Sequence, residues 1–238
     1  MATSGSTDFT LTRDQIISGA LRLTGELAQG ESPTSTQISE ASEALNIMVK
    51  AWQADGMPLW ALKTQTISLT AGVNSYRIGV GQTVNTPKPL KVIQAWNRVS
   101  SSSIDIPMRI ITKQEYNILG NKTSSGNPIQ VYYEPLNTYG DLYVFPTPTA
   151  TEAAANSIYI VYQRPFEDFD ATSDTPDFPQ EWFEALKYGL AVRLAGEYTI
   201  DIETRKMLQI EAKMAKDAAL SFGTEEGSMY FMVDRRNW

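Results

Sequence analysis

The sequence predicts an α+β protein: an antiparallel helical core built from both chain ends, a β-rich insertion between them, and an extended C-terminal arm. Three observations carry this. Apolar residues recur at helical spacing before and after a long middle stretch, first around residues 16–52 and again around 182–222. Between those regions the period falls from 3.6 to 2, with Gly, Pro, Asn and Ser punctuating short runs. The last stretch has no period at all, yet is crowded with Met and aromatic side chains. The expected divisions are an N-terminal segment at 1–11, helical core at 12–63 and 178–223, the insertion at 64–165, and the arm at 224–238.

Each element has its own justification. Thr12 and Gln15 have the spacing of a capping box, and Ile16, Ile17, Ala20, Leu21, Leu27 and Ala28 extend the stripe toward a stop at Gly30. A second helix is expected from Ser35 to Asp55, with Ile38, Ala41, Leu45, Met48, Val49 and Trp52 on one face and Gly56 and Pro58 ending it. Ile67 and Leu69 alternate with polar neighbours, and residues 71–74 read as a turn into Tyr76 and Ile78. Further strands are expected at 90–99, 129–134, 141–145 and 158–163, interrupted by one short helix where Thr112 and Glu115 repeat the capping spacing. Pro179 opens a helix that buries Trp182, Phe183, Leu186, Leu190 and Leu194. Asp201 caps the last one, in which Leu208, Ala212, Ala215, Ala219 and Phe222 make a narrow seam for a closely packed neighbour, and Gly223 closes it.

Composition excludes several chemistries. The 238 residues include neither cysteine nor histidine. Thiolate nucleophiles, disulfides, Cys- or His-based metal sites and every His-dependent triad are thereby removed. With 20 Lys+Arg against 27 Asp+Glu, the formal charge is −7, the wrong sign for a general grip on nucleic acid. No segment has the apolar length of a membrane helix, and residues 1–7 lack the basic and apolar parts of a secretory leader. Synthesis in a cytoplasm is the expectation.

What remains for catalysis is a pair of carboxylates. Glu26 and Glu31 flank the first turn, but the pattern does not mark either as buried, and ordinary surface acids are the better reading. The run Glu167, Asp168, Asp170, Asp174 and Asp177 lacks the glycine and ligand order of a calcium loop and is read as acids gathered before a helix start. Gly79-Val80-Gly81 reads as a loop glycine pair, since no helix pattern follows it. No catalytic residue, metal or cofactor is assigned.

The arm is the informative feature. Free termini are usually polar, whereas Met229, Tyr230, Phe231, Met232 and Trp238 cluster here with Arg235 and Arg236 between them. Such residues dominate binding hot spots. Fully drawn out, the stretch reaches about 50 Å from Gly223. It either folds back on its own core or docks on another chain.

Three stretches resemble the head-to-tail adaptors of short-tailed bacteriophages, also called tail accessory factors or packaged-DNA stabilisation proteins. The first is Leu23-Thr24-Gly25-Glu26-Leu27-Ala28-Gln29-Gly30-Glu31-Ser32-Pro33, followed by Ala44-Leu45-Asn46 and Ala51-Trp52-Gln53-Ala54-Asp55-Gly56. The second is Phe178-Pro179-Gln180-Glu181-Trp182-Phe183-Glu184-Ala185-Leu186, continuing through Tyr188-Gly189-Leu190-Ala191 to Leu194-Ala195. The third is Gly227-Ser228-Met229-Tyr230-Phe231, ahead of Arg235-Arg236. The resemblance covers both helical ends and the arm, and is weak through the β-rich middle.

It implies a structural virion protein at the head-tail junction, a dodecameric ring under the portal that extends the DNA channel and retains packaged DNA. Its partners would be the portal protein, further copies of itself, a downstream tail tube or nozzle protein, and double-stranded DNA in passage without sequence-specific binding. The arm would embrace the portal. Cell-wall cleavage, credited to some members of the wider family, is not carried over, because no acid pair here matches it. Two competitors stand beside this reading: a carboxylate-based cell-wall glycan hydrolase associated with the virion, and a binding module whose arm recruits a host protein.

Overall fold

The computed structural model describes residues 3–55 and 59–223. The arm at 224–238 and the expected helix stop at Gly56 and Pro58 lie outside the described residues. The element order is α1 (Arg13–Thr24), α2 (Ser35–Asp55), a 3-10 turn (Leu59–Ala61), β1 (Leu62–Ser68), β2 (Ser75–Gly79), β3 (Val84–Asn85), β4 (Lys91–Val99), β5 (Ile104–Pro107), β6 (Arg109–Ile110), α3 (Lys113–Asn117), β7 (Gln130–Pro135), β8 (Gly140–Phe145), α4 (Ala150–Ala155), β9 (Asn156–Gln163), a second 3-10 turn (Gln180–Trp182), α5 (Phe183–Glu197) and α6 (Ile202–Phe222). The α+β mixture is as expected, with helices toward both ends and strands between. Two compact units result, one from residues 1–51 and the chain from Asp168 onward, the other from residues 52–167.

In the helical unit, local chemistry starts each helix. Thr12 Oγ1 accepts the Gln15 amide at 3.3 Å while Gln15 Oε1 accepts the Thr12 amide at 2.9 Å, closing the expected capping box. Thr34 and Gln37 form a second box ahead of α2, at 2.9 and 3.3 Å, which the sequence reading overlooked. One expectation fails. α1 ends at Thr24 and does not continue toward Gly30. Gly25 takes a φ of +81°, a conformation an L side chain resists, and the Thr24 hydroxyl donates to the Leu21 carbonyl at 2.8 Å. Leu27 is buried from the loop beyond, and Ala28 is exposed.

α5 is the helix on which both α1 and α6 pack. Its start at Pro179 is tighter than expected, a 3-10 turn before the α-helix proper. Trp182, Phe183, Leu186, Leu190 and Leu194 are all buried, the face that the spacing predicts. Asp201 caps α6 by accepting the Glu203 and Thr204 amides at 3.0 and 2.8 Å. Hydrogen bonding by Thr204, through its side chain foremost and then its backbone, holds the Asp201 carboxyl below the usual carboxylate range.

The β unit consists of two sheets. One runs β1-β9-β4-β5 and is antiparallel throughout; the other runs β3-β2-β8-β7-β6, antiparallel except where the two-residue strands β3 and β6 join parallel at its margins. Ile67, Ile158, Ile160 and Tyr162 of the first sheet share one buried cluster with Tyr76, Ile78, Leu142 and Val144 of the second. This is the sandwich arrangement, in which alternate residues of both sheets meet in one core. Buried inside it, the Tyr162 hydroxyl is hydrogen-bonded to Thr86 Oγ1 at 2.8 Å. The strands expected at 90–99, 129–134, 141–145 and 158–163 are present within two residues of those bounds. β5 and α4 were not expected. All four β5 residues are exposed, so no burial alternation marks them, whereas the Thr149-to-Glu152 cap of α4 was visible in the sequence.

Candidate functional site

The acidic residues come first, since they alone offered an active site. Glu26 and Glu31 are both exposed, and Glu31 accepts the amide of Ala28 at 3.3 Å, closing its own turn. In the acidic run, Asp174 Oδ2 accepts the Asp170 and Ala171 amides at 2.8 and 2.6 Å, and Asp168 pairs with Lys50 at 2.6 Å. These carboxylates order a loop. Among the described residues no cluster of three or more acids is arranged to hold a metal ion, and no helix is long and apolar enough to cross a membrane.

Arg13 secures that loop to the helices. It is buried, its guanidinium donates to the Asp170 carbonyl at 2.9 Å and to Ser42 Oγ at 3.5 Å, and it pairs with Asp14 at 2.9 Å. Its amide donates to the Asp174 carbonyl at 2.8 Å. A sequence offers no sign that one surface-type residue among many will be buried in this way.

Several residues of the adaptor-like stretches prove to be clasps. The side chain of Asn46 both donates to the Phe169 carbonyl at 3.2 Å and accepts the Phe169 amide at 2.9 Å, as a paired strand would. In the β unit Gln53 Oε1 accepts the Phe166 amide at 2.9 Å, and the Gln53 carbonyl accepts Gln163 Nε2 at 3.2 Å. Asn46→Ala strands two backbone groups and is expected to cost about 1–3 kcal/mol of unfolding free energy. Asn46→Asp keeps the acceptor alone and should fall between wild type and alanine in a urea titration. Equal midpoints for all three chains would remove the clasp from the argument.

The packing residues picked out by sequence separate into groups. Trp182, Leu208 and Ala219 are buried, Trp52, Ala212 and Ala215 are half-buried, and Phe222 is 75% exposed. α6 also carries an apolar line that the sequence reading passed over: Met207, Ile210 and Met214 are 61%, 59% and 61% exposed. At 100° per residue this line lies roughly 130° round the helix from the Leu208–Ala219 seam. α6 thus has two apolar faces, and among the described residues only one of them is covered.

The β unit carries partly buried aromatic clusters on both sheets. On the first sheet Trp96 stacks on Tyr159 at 5.5 Å, Arg98 lies over the Tyr159 ring at 4.5 Å, and Arg98 grips Asp105 across the β4–β5 pair with two 2.6 Å bonds. The Arg98 bond holds the Asp105 carboxyl below its usual range. Beside them a shallow groove of about 490 Å³ includes Ile93, Trp96, Pro107, Met108 and Ile110 in its lining. On the second sheet Tyr116, Tyr132 and Tyr143 stack together, their hydroxyl pKa values raised by burial before any other cause. The loop after α3 is anchored by Asn127, whose Oδ1 accepts from Asn97 at 2.6 Å and Asn156 at 3.3 Å.

A family model described as SU10 adaptor protein matches residues 12–234, nearly the whole chain. The chain belongs to that family. It is a phage head-to-tail adaptor, a structural component of the virion. No curated protein matches the chain in a sequence comparison.

The adaptor match starts at the Thr12 cap and runs through both helical segments, the β unit and most of the arm. The adaptor's arm residues Met229, Tyr230, Phe231, Met232, Arg235, Arg236 and Trp238 lie outside the described residues. What the sequence reading missed in the adaptor are Arg13, the Asn46 and Gln53 clasps, and the outer α6 line. Only the last had a visible signal, the 3-4 spacing of Met207, Ile210 and Met214.

Proposed function

We propose that the protein is a non-enzymatic connector at the capsid vertex. Copies assemble into a ring that docks beneath the portal, continues the channel through which DNA passes, retains packaged DNA and presents the seat for the next tail protein. Residues 224–238 are the portal anchor, with Met229, Tyr230, Phe231, Met232 and Trp238 supplying apolar contacts and Arg235 and Arg236 charged ones. The family match from 12 to 234 carries this reading, because it joins both helical segments to the aromatic stretch. The charge of −7 supports it, since acidic walls repel phosphates and let DNA slide without sticking. An apolar arm also suits a partner met only on assembly, its ordering entropy offset when it docks.

The test is the mass of a mixture with purified portal, for the full chain and for a chain ending at Gly223. The full chain is expected to give a large complex and the truncated chain to stay free. Equal binding by both would remove the arm as anchor. Binding by neither would remove portal docking altogether.

A further inference from the structure

A sheet edge is a row of backbone donors and acceptors, and the β unit treats its edges unequally. The second sheet ends on β3 and β6, each two residues long and too short to offer such a row. The first sheet ends on β5 and β1. At β5 the Met108 amide donates to the Ala95 carbonyl at 2.9 Å. Ile104 and Ile106, in step with Met108, therefore turn their backbone groups toward β4, while Asp105 and Pro107 turn theirs outward. Proline has no N–H, so Asp105 supplies the one outward donor of that strand. Three of the four edges are thus blunted among the described residues.

β1 is not. The Arg164 amide donates to the Ala61 carbonyl at 2.9 Å, which makes these two a hydrogen-bonded pair. Stepping by two along the same register, residues 63, 65 and 67 also bond to β9. Thr64, Thr66 and Ser68 consequently point their N–H and C=O groups away from the sheet, and no backbone group among the described residues meets them. The one cover is a side chain: Gln65 Nε2 donates to the Thr66 carbonyl at 2.9 Å. All three outward residues are exposed, no proline interrupts them, and the single charge of the strand, Lys63, stands before them.

A free row of alternating donors and acceptors is complementary to another extended strand. A second copy has no such edge to offer except its own β1, and a patch that pairs with itself closes at a dimer and cannot build a ring. Resting on the connector reading above, we propose that β1 is the docking edge for the next tail protein, which adds an extended segment of its own chain to the first sheet. Backbone bonds at 64, 66 and 68 hold that segment. Its side chains continue cross-strand rows already present, one of which runs through Thr66, Tyr159 and Trp96.

Amide hydrogen exchange reads the edge directly. Full-length adaptor is bound to portal rings, with and without the purified tail tube or nozzle protein. The Thr64, Thr66 and Ser68 amides are expected to exchange freely without the tail protein and about tenfold or more slowly with it. Thr66→Pro removes one outward N–H and leaves the bonds to β9 in place, so affinity for the tail protein should fall about tenfold or more. Thr66→Ala keeps the amide and should bind as the unaltered chain does. Circular dichroism checks folding, and if the proline variant does not fold, exchange in the unaltered chain decides. A bound tail protein that leaves these amides unprotected, or equal binding by folded Thr66→Pro, overturns the edge contact and leaves the connector reading standing. Protection already present before the tail protein is added gives the edge to the portal or to a second copy, its arm included, and overturns the proposal too. Failure of the unaltered adaptor on its portal to take up the tail protein overturns the connector reading and the edge contact together.

Discussion

Trp182→Ala is expected to remove about 3–5 kcal/mol from the helical unit, the usual range for deleting a buried indole. Trp182 closes the 3-10 turn that leads into α5, is 4% exposed, and meets the Phe178 ring at a centroid distance of 5.7 Å. The cavity cannot collapse easily, because Leu186, Leu190 and Leu194 on the same helix are already fully buried. Against a total stability of about 5–15 kcal/mol for an ordinary domain, such a loss threatens the fold itself. Phe222→Ala is the control. Sequence placed both residues in the same packing set, yet Phe222 is exposed in the single chain, so its removal should change monomer stability by less than about 0.5 kcal/mol. Urea unfolding of the two variants measures the contrast, and similar midpoints would contradict it.

Gly140→Ala is expected to damage the β unit by about 2–4 kcal/mol, combining overpacking with a lost hydrogen bond. Gly140 starts β8, and the ring of Tyr133 lies across the position a methyl group would take. An aromatic ring at a surface could swing aside; this one is tied, since its hydroxyl donates to the Pro89 carbonyl at 2.6 Å. Burial, foremost, raises the Tyr133 pKa, so the hydroxyl remains the donor through the ordinary pH range. Tyr133→Phe removes only that bond and should cost about 0.5–1.5 kcal/mol. Adding Tyr133→Ala to the glycine variant relieves the clash, so the two changes together should cost less than their sum. Thermal unfolding of the wild type, Gly140→Ala, Tyr133→Ala and the double variant reads out the cycle, with Tyr133→Phe measured beside them; strict additivity would mean that the ring and the methyl never compete.

These two sites show where sequence legibility stops. Trp182 was legible, because the spacing of Trp182, Phe183, Leu186, Leu190 and Leu194 repeats within a few residues and tells of one buried face. Gly140 was not. Its neighbours Tyr133 and Pro89 are brought to it by strand pairing and a distant loop, and a lone glycine in an alternating run looks like turn chemistry. The candidate surfaces divide in the same way. The aromatic character of 224–238 can be read directly, while the open face of α6 needed the other face to be accounted for.

The helix starts at Thr12, Thr112 and Asp201, the run of α2, the alternation of the main strands, the absence of His- and Cys-based chemistry, and the family resemblance are all legible in the amino-acid order alone. All rest on residues within a few positions of one another, or on composition. Folding in three dimensions was needed to show that Arg13 is buried against the Asp170 loop and that Asn46 clasps Phe169 from far along the chain, whereas the α1 stop at Gly25 is local glycine chemistry that the reading passed over. The tertiary structure also decided which of two similar apolar lines on α6 meets α5 and which is left outward. The physical reason is common to these cases. Local hydrogen bonds and periodicity act over one or two turns, whereas burial of a particular side chain depends on which distant surface arrives to cover it.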